Sequence, residues 1–170
     1  RQPIEHHNLT VDPDVACFAE VWGAWRMQPP LPPGWMGLPL EPTGSRIGRD
    51  RWRLAYAWRT LKDTGAHVVF ASDWPVSPID PMAGIQAAML RKPWADGLPD
   101  HSYGLREAIA GYTVEGAYTE FADAAKGRPK PGYPAALVLL SGDVEPAGPE
   151  DVDTVLPVPP TCGRKGTNQT

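Results

Sequence analysis

Residues 67–71, His-Val-Val-Phe-Ala, are apolar after the first position and lie between Gly65 and Pro75. A short apolar run bounded by turn residues reads as a strand buried on both faces, the pattern of a parallel sheet. Parallel strands cannot be joined by a hairpin; each pair needs a crossover, usually a helix. The preceding sequence supplies that alternation. Residues 3–7, Pro-Ile-Glu-His-His, are a strand candidate that fits the continuous apolar pattern less well. Asp12 then caps a helix with Pro13 at its first position, Val15, Phe18, Ala19 and Trp22 form one apolar stripe, and Gly23 stops it. Residues 24–28 form the next strand, 51–64 a helix carrying Leu54, Trp58 and Leu61 on one face, 67–72 the third strand and 81–90 the third helix. This order predicts parallel βαβ units, an α/β fold.

From residue 105 the pattern changes. Leu105, Ala108, Ile109 and Tyr112 make a helical stripe expected to continue to Phe121, residues 126–134 are a basic turn broken by Gly and Pro, and 135–143 and 154–162 are strand candidates. The tail 163–170 is polar and expected to fray. Prolines, 21 of 170 residues, are about twice the usual ~5% share. Six fall in residues 29–50, a loop without period, and loops of such length are functional or mobile.

The chain is long enough for one domain with a core, and 42% hydrophobic with 21% charged residues is a globular composition. A net charge of -4, with no basic stripe, argues against a nucleic-acid partner. No apolar run approaches the ~18 residues of a membrane span. Cys17 and Cys162 lack metal-type spacing and read as unpaired thiols; the cytoplasm is the default compartment. The start, Arg1-Gln-Pro-Ile, has neither Met nor a signal pattern, so the chain is expected to be processed or part of something longer.

Two strands end on groups that are costly to bury. The third runs into Ser72-Asp73-Trp74-Pro75, and the first ends at His6-His7. In parallel α/β folds reactive groups lie beyond the carboxyl ends of the strands. Imidazole and carboxylate at two such ends are what a divalent metal needs. Alternatives stand beside this. Asp73 could hold an Asx-type turn, and His6 and His7 could be an exposed residue and a core one. His67 and His101 read as structural or solvated, Trp22, Trp52 and Trp58 as core, and Glu5 as orienting His6 or binding backbone.

Taken in order, "PIEHH", "RMQP", "AYAWRTLKDTGAHVVFASDWPVSPIDPMAGIQAAM", "LREAIAGYTVEGAYTEF" and "KGRPKPGYPAALVLLSGD" resemble amidohydrolase family 3. This is the branch of the metal-dependent amidohydrolase superfamily that includes N-substituted formamide deformylase. The resemblance implies a partial (β/α)8 TIM barrel. Residues 1–125 would supply its last three strand–helix units, and 126–170 the C-terminal part of a small β domain. It implies a divalent metal, zinc by expectation, held by His6 and Asp73, with Asp73 also shuttling the proton of a metal-activated water. The family's other ligands would lie upstream. Arg59 in "YAWRTL" matches a recurrent arginine, expected to form an ion pair from helix to barrel. His7 stands where a small residue is common, and Ala136 where Asp is frequent.

Three functions follow. The first is the C-terminal portion of a hydrolase of non-peptide carbon–nitrogen bonds in small-molecule amides, with a homo-oligomer admitted for the full-length protein. The second is a catalytically silent fragment lacking the upstream ligands. The third is a binding module presenting "PPLPPGW" as polyproline II.

Overall fold

The computed structural model describes residues 3–20, 23–34, 36–134 and 136–158, and the backbone of 161–162 and 165–166. Its centre is a three-stranded parallel sheet of β1 (Pro3–Ile4), β2 (Ala24–Met27) and β3 (His67–Phe70), in that spatial order. Helix α1 (Asp12–Glu20) joins β1 to β2. A long excursion with α2 (Thr43–Ile47), a 3-10 turn (Arg49–Leu54) and α3 (Trp58–Asp63) joins β2 to β3. After β3 come α4 (Pro81–Met89), α5 (Leu105–Tyr112) and α6 (Val114–Thr119). A thin ribbon follows, β4 (Leu139–Leu140) antiparallel to β5 (Pro157–Val158), and then the pair β6 (Thr161–Cys162) and β7 (Lys165–Gly166).

Register places Trp25 beside Val68 and Met27 beside Phe70, so these four side chains share one face of the sheet. All four are buried and join Trp58, Leu61, Met82, Ile85 and Tyr103 in the core. Arg26 and Val69 pair on the opposite face. Helices α5 and α6 pack on β3, and Gly111 is what lets α5 come close. A Cβ built there would stand 2.7 Å from Cδ2 of the buried Phe70 ring.

Arg59 fastens α3 to the chain ahead of α5. Its Nε and Nη2 donate to the Ser102 carbonyl at 3.1 and 3.0 Å, and Nη1 and Nη2 donate to the Glu107 carboxylate at 2.9 and 2.5 Å. The guanidinium carbon also lies 4.7 Å from the Tyr103 ring centre. The expected ion pair is present, but it runs helix to helix. Those hydrogen bonds from Arg59 hold the Glu107 carboxyl down to about 2, against the opposing effect of burial and with help from the Gly104 N–H.

Several elements depart from the sequence expectation. The first strand stops at Ile4 because His6 turns left-handed, with φ 53°. The helix expected over 51–64 is broken. Leu9 bridges to Ala55 and the Tyr56 N–H donates to Asn8, which pulls 55–56 out of helical geometry. The helix expected to run from 105 to Phe121 divides at Thr113, whose φ of -125° and ψ of -83° are not helical. The expected strand 135–143 shrinks to two residues. Within residues 29–34 and 36–50, α2 forms, Pro29 and Pro32 are fully buried and the Pro33 carbonyl accepts from Trp94 Nε1 at 2.7 Å. A proline run spent on internal packing is not presented for docking, which corrects the binding-module expectation. The C-terminal segment packs on α4, with Val152 0% exposed within the same core. Trp22, the Ala19 side chain, the Cys162 side chain and most of the tail lie outside the described residues.

Two outcomes follow. Gly111→Ala should destabilise the chain by roughly 1–3 kcal/mol through overpacking against Phe70, read by thermal or urea unfolding. Glu107→Gln should cost stability at neutral pH. The deficit should close as pH falls from about 4.5 toward about 2, because a carboxyl with a depressed folded pKa stabilises above its unfolded value and loses that contribution on protonation. Parallel melting curves of both proteins across that window check this.

Candidate metal centre

His6 and Asp73 come together. His6 Nε2 lies 3.6 Å from Asp73 Oδ2, with 48% of the His6 side chain and 32% of the Asp73 side chain exposed. The sheet order explains the meeting. β2 lies between β1 and β3, so the carboxyl ends of the outer strands flank it, and His6 and Asp73 reach across. Both residues adopt left-handed backbone, φ 53° and 59°. His and Asp are among the few non-glycine types that tolerate this region, and such conformations concentrate at functional sites.

The turn after β3 removes one of the alternatives left by the sequence. An Asx turn needs an N–H two residues beyond the aspartate, and that residue is Pro75, which has none. Ser72 does the holding instead: its Oγ accepts from the Trp74 N–H at 3.2 Å, and its carbonyl accepts from the Ser77 hydroxyl. The Asp73 carbonyl takes the Val76 N–H at 2.8 Å. The carboxylate is thereby left facing His6. The signal was readable in "SDWP", where proline blocks the aspartate's own turn and serine stands ready to replace it.

The histidines divide their roles. His7 is packed against Phe18 and Trp25, with ring centres 4.7 and 5.3 Å away, and burial lowers its pKa against the pull of Asp14. His67 stacks on Tyr118 at 3.6 Å and pairs through Nδ1 with Glu115 at 2.7 Å, at the amino end of β3 and away from Asp73. His101 is 3% exposed, donates from Nε2 to the Arg53 carbonyl at 3.0 Å, and is held neutral-leaning chiefly by burial. It is structural, not solvated. Glu5 neither orients His6 nor binds backbone in the way the sequence left open. It pairs with Arg26 of β2 at 2.5 Å, an ion pair that sequence reasoning did not anticipate.

The donor pair fits a divalent cation. Two bonds of ~2.1 Å at a tetrahedral angle span ~3.4 Å, close to the 3.6 Å observed. That separation is also beyond a good hydrogen bond, so neither donor is satisfied by the other. A catalytic zinc site ordinarily has three protein ligands. Among the described residues no group of three His, Cys, Asp or Glu side chains is placed to hold an ion. A separate apolar cavity of about 350 Å³ lies between α4, α5 and the β4–β5 ribbon. Met82, Ile85, Ile109 and Leu140 line it, and no His, Cys, Asp or Glu is among its lining residues.

Among the described residues no helix is long and apolar enough to cross a membrane. YtcJ of Bacillus subtilis (strain 168), which bears an amidohydrolase name, is 36% identical over 111 residues, 60% of this chain and 21% of that protein. Protein LONG AFTER FAR-RED 3 of Arabidopsis thaliana is 29% identical over 105 residues, 59% of this chain and 18% of its own length. The chain therefore spans about a fifth of the curated relatives it matches. The crystal structure of an uncharacterized metal-dependent hydrolase from Pyrococcus furiosus superposes with a TM-score of 0.63 at 26% identity, covering 78% of this chain and 26% of that one. A second such structure, from Pyrococcus horikoshii OT3, gives 0.63 at 23% identity, with 78% and 27% covered, and shows likeness of fold. The sequence profile of the Amidohydrolase family matches residues 1–159, and the chain belongs to that family.

Proposed function

We propose that this chain is the C-terminal part of a metal-dependent amidohydrolase that cleaves carbon–nitrogen bonds of small, non-peptide amides, formamides among them. In this reading β1, β2 and β3 are the last three strands of a (β/α)8 barrel. Residues 126–170 belong to a small β domain. The observation that carries it is the 3.6 Å approach of His6 and Asp73 across the carboxyl end of the sheet. Family membership and the likeness to metal-dependent hydrolases support it.

His6 through Nε2 and Asp73 through Oδ2 would hold the metal, zinc by the chemistry of imidazole and carboxylate donors. When bound, such an ion acidifies a water and polarises the amide carbonyl. The chain's own contribution is proton handling. The Asp73 carboxylate takes the proton released as water adds to the carbonyl carbon, then gives it to the nitrogen as the carbon–nitrogen bond breaks. It ends the cycle ionised. Backbone strain at Asp73 and the Ser72 hydrogen bonds fix where that carboxylate stands. The segment 29–50, in which Pro33 is bonded by Trp94, would select among substrates.

A second reading, a catalytically silent piece, is favoured by one observation: among the described residues two ligands converge and a third does not. The two readings separate experimentally. With the protein at the length of its relatives, Asp73→Asn should lower kcat for amide hydrolysis by about 10²–10⁴-fold, and His6→Ala should reduce bound metal measured by elemental analysis. Full activity with unchanged metal content in both variants would sink the assignment. The 170-residue chain alone should show no amide turnover when zinc is added; turnover by it would contradict the need for further ligands.

A further inference from the structure

The apolar cavity between α4, α5 and the β4–β5 ribbon takes no part in the metal centre. Its volume is about 350 Å³, within the ~300–1,000 Å³ of small-molecule sites. Met82 and Ile85, each 5% exposed, form its floor, and Val138, 71% exposed, marks its mouth. Every residue that lines it is uncharged. The polar side-chain atoms on its walls belong to Tyr112 and Thr113, and neither donates into the space. The Thr113 hydroxyl donates to the Ile109 carbonyl at 2.8 Å. The Tyr112 hydroxyl is buried, without a hydrogen-bond partner among the described residues, against Gly84 of α4, where a Cβ would overlap it. What Tyr112 presents to the cavity is therefore its ring.

The walls are held in place by contacts of their own. Gln86 Nε2 donates to the Glu150 carbonyl at 3.0 Å and to Asp153 Oδ1 at 2.6 Å, which pins the segment between β4 and β5 onto α4. The ribbon is closed by the Ser141 N–H on the Leu156 carbonyl at 2.9 Å and the Leu156 N–H on Ser141 Oγ at 3.0 Å. Packed interiors seldom keep open space between apolar layers, and an apolar cavity of about 150 Å³ already takes up benzene or xenon. An apolar guest gains by displacing loosely held water, whereas a charged one would lose its hydration with nothing in exchange. Leu139, 67% exposed, alternates to the side of the ribbon opposite Leu140, so a chain laid on that outer side would leave the cavity unfilled. We propose that the cavity is a binding site for a small, neutral molecule with a hydrocarbon body, separate from the His6–Asp73 centre. It rests on neither the metal nor the amidohydrolase reading.

The test is a titration of the 170-residue chain with benzene, the methionine methyl groups carrying 13C. The Met82 signal is identified by its loss in Met82→Leu. Benzene should shift it saturably, leave the signal of exposed Met36 in place, and raise the melting temperature. Benzoate, its charged counterpart, should do neither. Ile109→Phe, which fills the space, should weaken benzene binding by about tenfold or more. Val138→Asp should weaken it as well, and at so exposed a position it leaves folding intact. No saturable shift, an equal response to benzoate, or unchanged affinity in both variants overturns the proposal. So does a response lost in the protein at the length of its relatives, which would make the gap a seat for upstream polypeptide. Light scattering that shows a dimer dissociated by benzene would overturn it too, by making the gap a seat for a second copy.

Discussion

β2 is hydrogen-bonded along both edges, to β1 at Pro3–Ala24 and Ile4–Trp25 and to β3 over four residues. That parallel ladder fixes which groups can meet. It aligns the carboxyl ends of β1 and β3 on either side of one strand, close enough for an imidazole and a carboxylate to reach across. A one-residue slip would turn Trp25 and Met27 away from Phe70 and Val68 and move His6 out of step with Asp73. Core packing and the candidate metal centre therefore rest on the same register. The core enforces it, through four side chains that must lie on one face against residues of α3, α4 and α5.

Most of the architecture was readable from apolar runs and turn residues. "HVVFA" announced a buried strand, and Ala24–Met27 and Pro81–Met89 formed within a residue or so of expectation. Departures came where tertiary contacts override local pattern. Nothing in "RWRLAYAWRTL" shows that Tyr56 must leave the helix to meet Asn8, since that partner is some fifty residues away. Residues 29–50 lacked any period, yet Pro29 and Pro32 are buried and the Trp94 indole holds Pro33. Periodicity reports regular elements and is silent about ordered irregular ones. The two site residues were found by chemical type at strand ends. Their approach to 3.6 Å is a property of strand order, which no single stretch of sequence encodes.

The buried polar groups follow two different rules. Arg59 satisfies its donors on a carbonyl and a carboxylate and joins two helices. Arg91 is more deeply buried and has neither. Two arginines of one chain thus sit at opposite ends of the same scale, one held by hydrogen bonds and the other lying against the Trp94 ring. The histidines show a similar split, with His7, His67 and His101 each occupied by ring packing, a carboxylate or a carbonyl. His6 is left as the imidazole facing the carboxyl end of the sheet.

The left-handed backbone shared by His6 and Asp73 has a consequence for how such a chain can change over generations. β-Branched residues are penalised in that region and proline is excluded by its fixed φ. Replacements tolerated by the main chain are nearly confined to glycine, asparagine and the exchange of histidine with aspartate. A descendant in which both side chains were exchanged could therefore keep the shape of both turns almost unaltered. The change would be written in two side chains while the scaffold stayed the same.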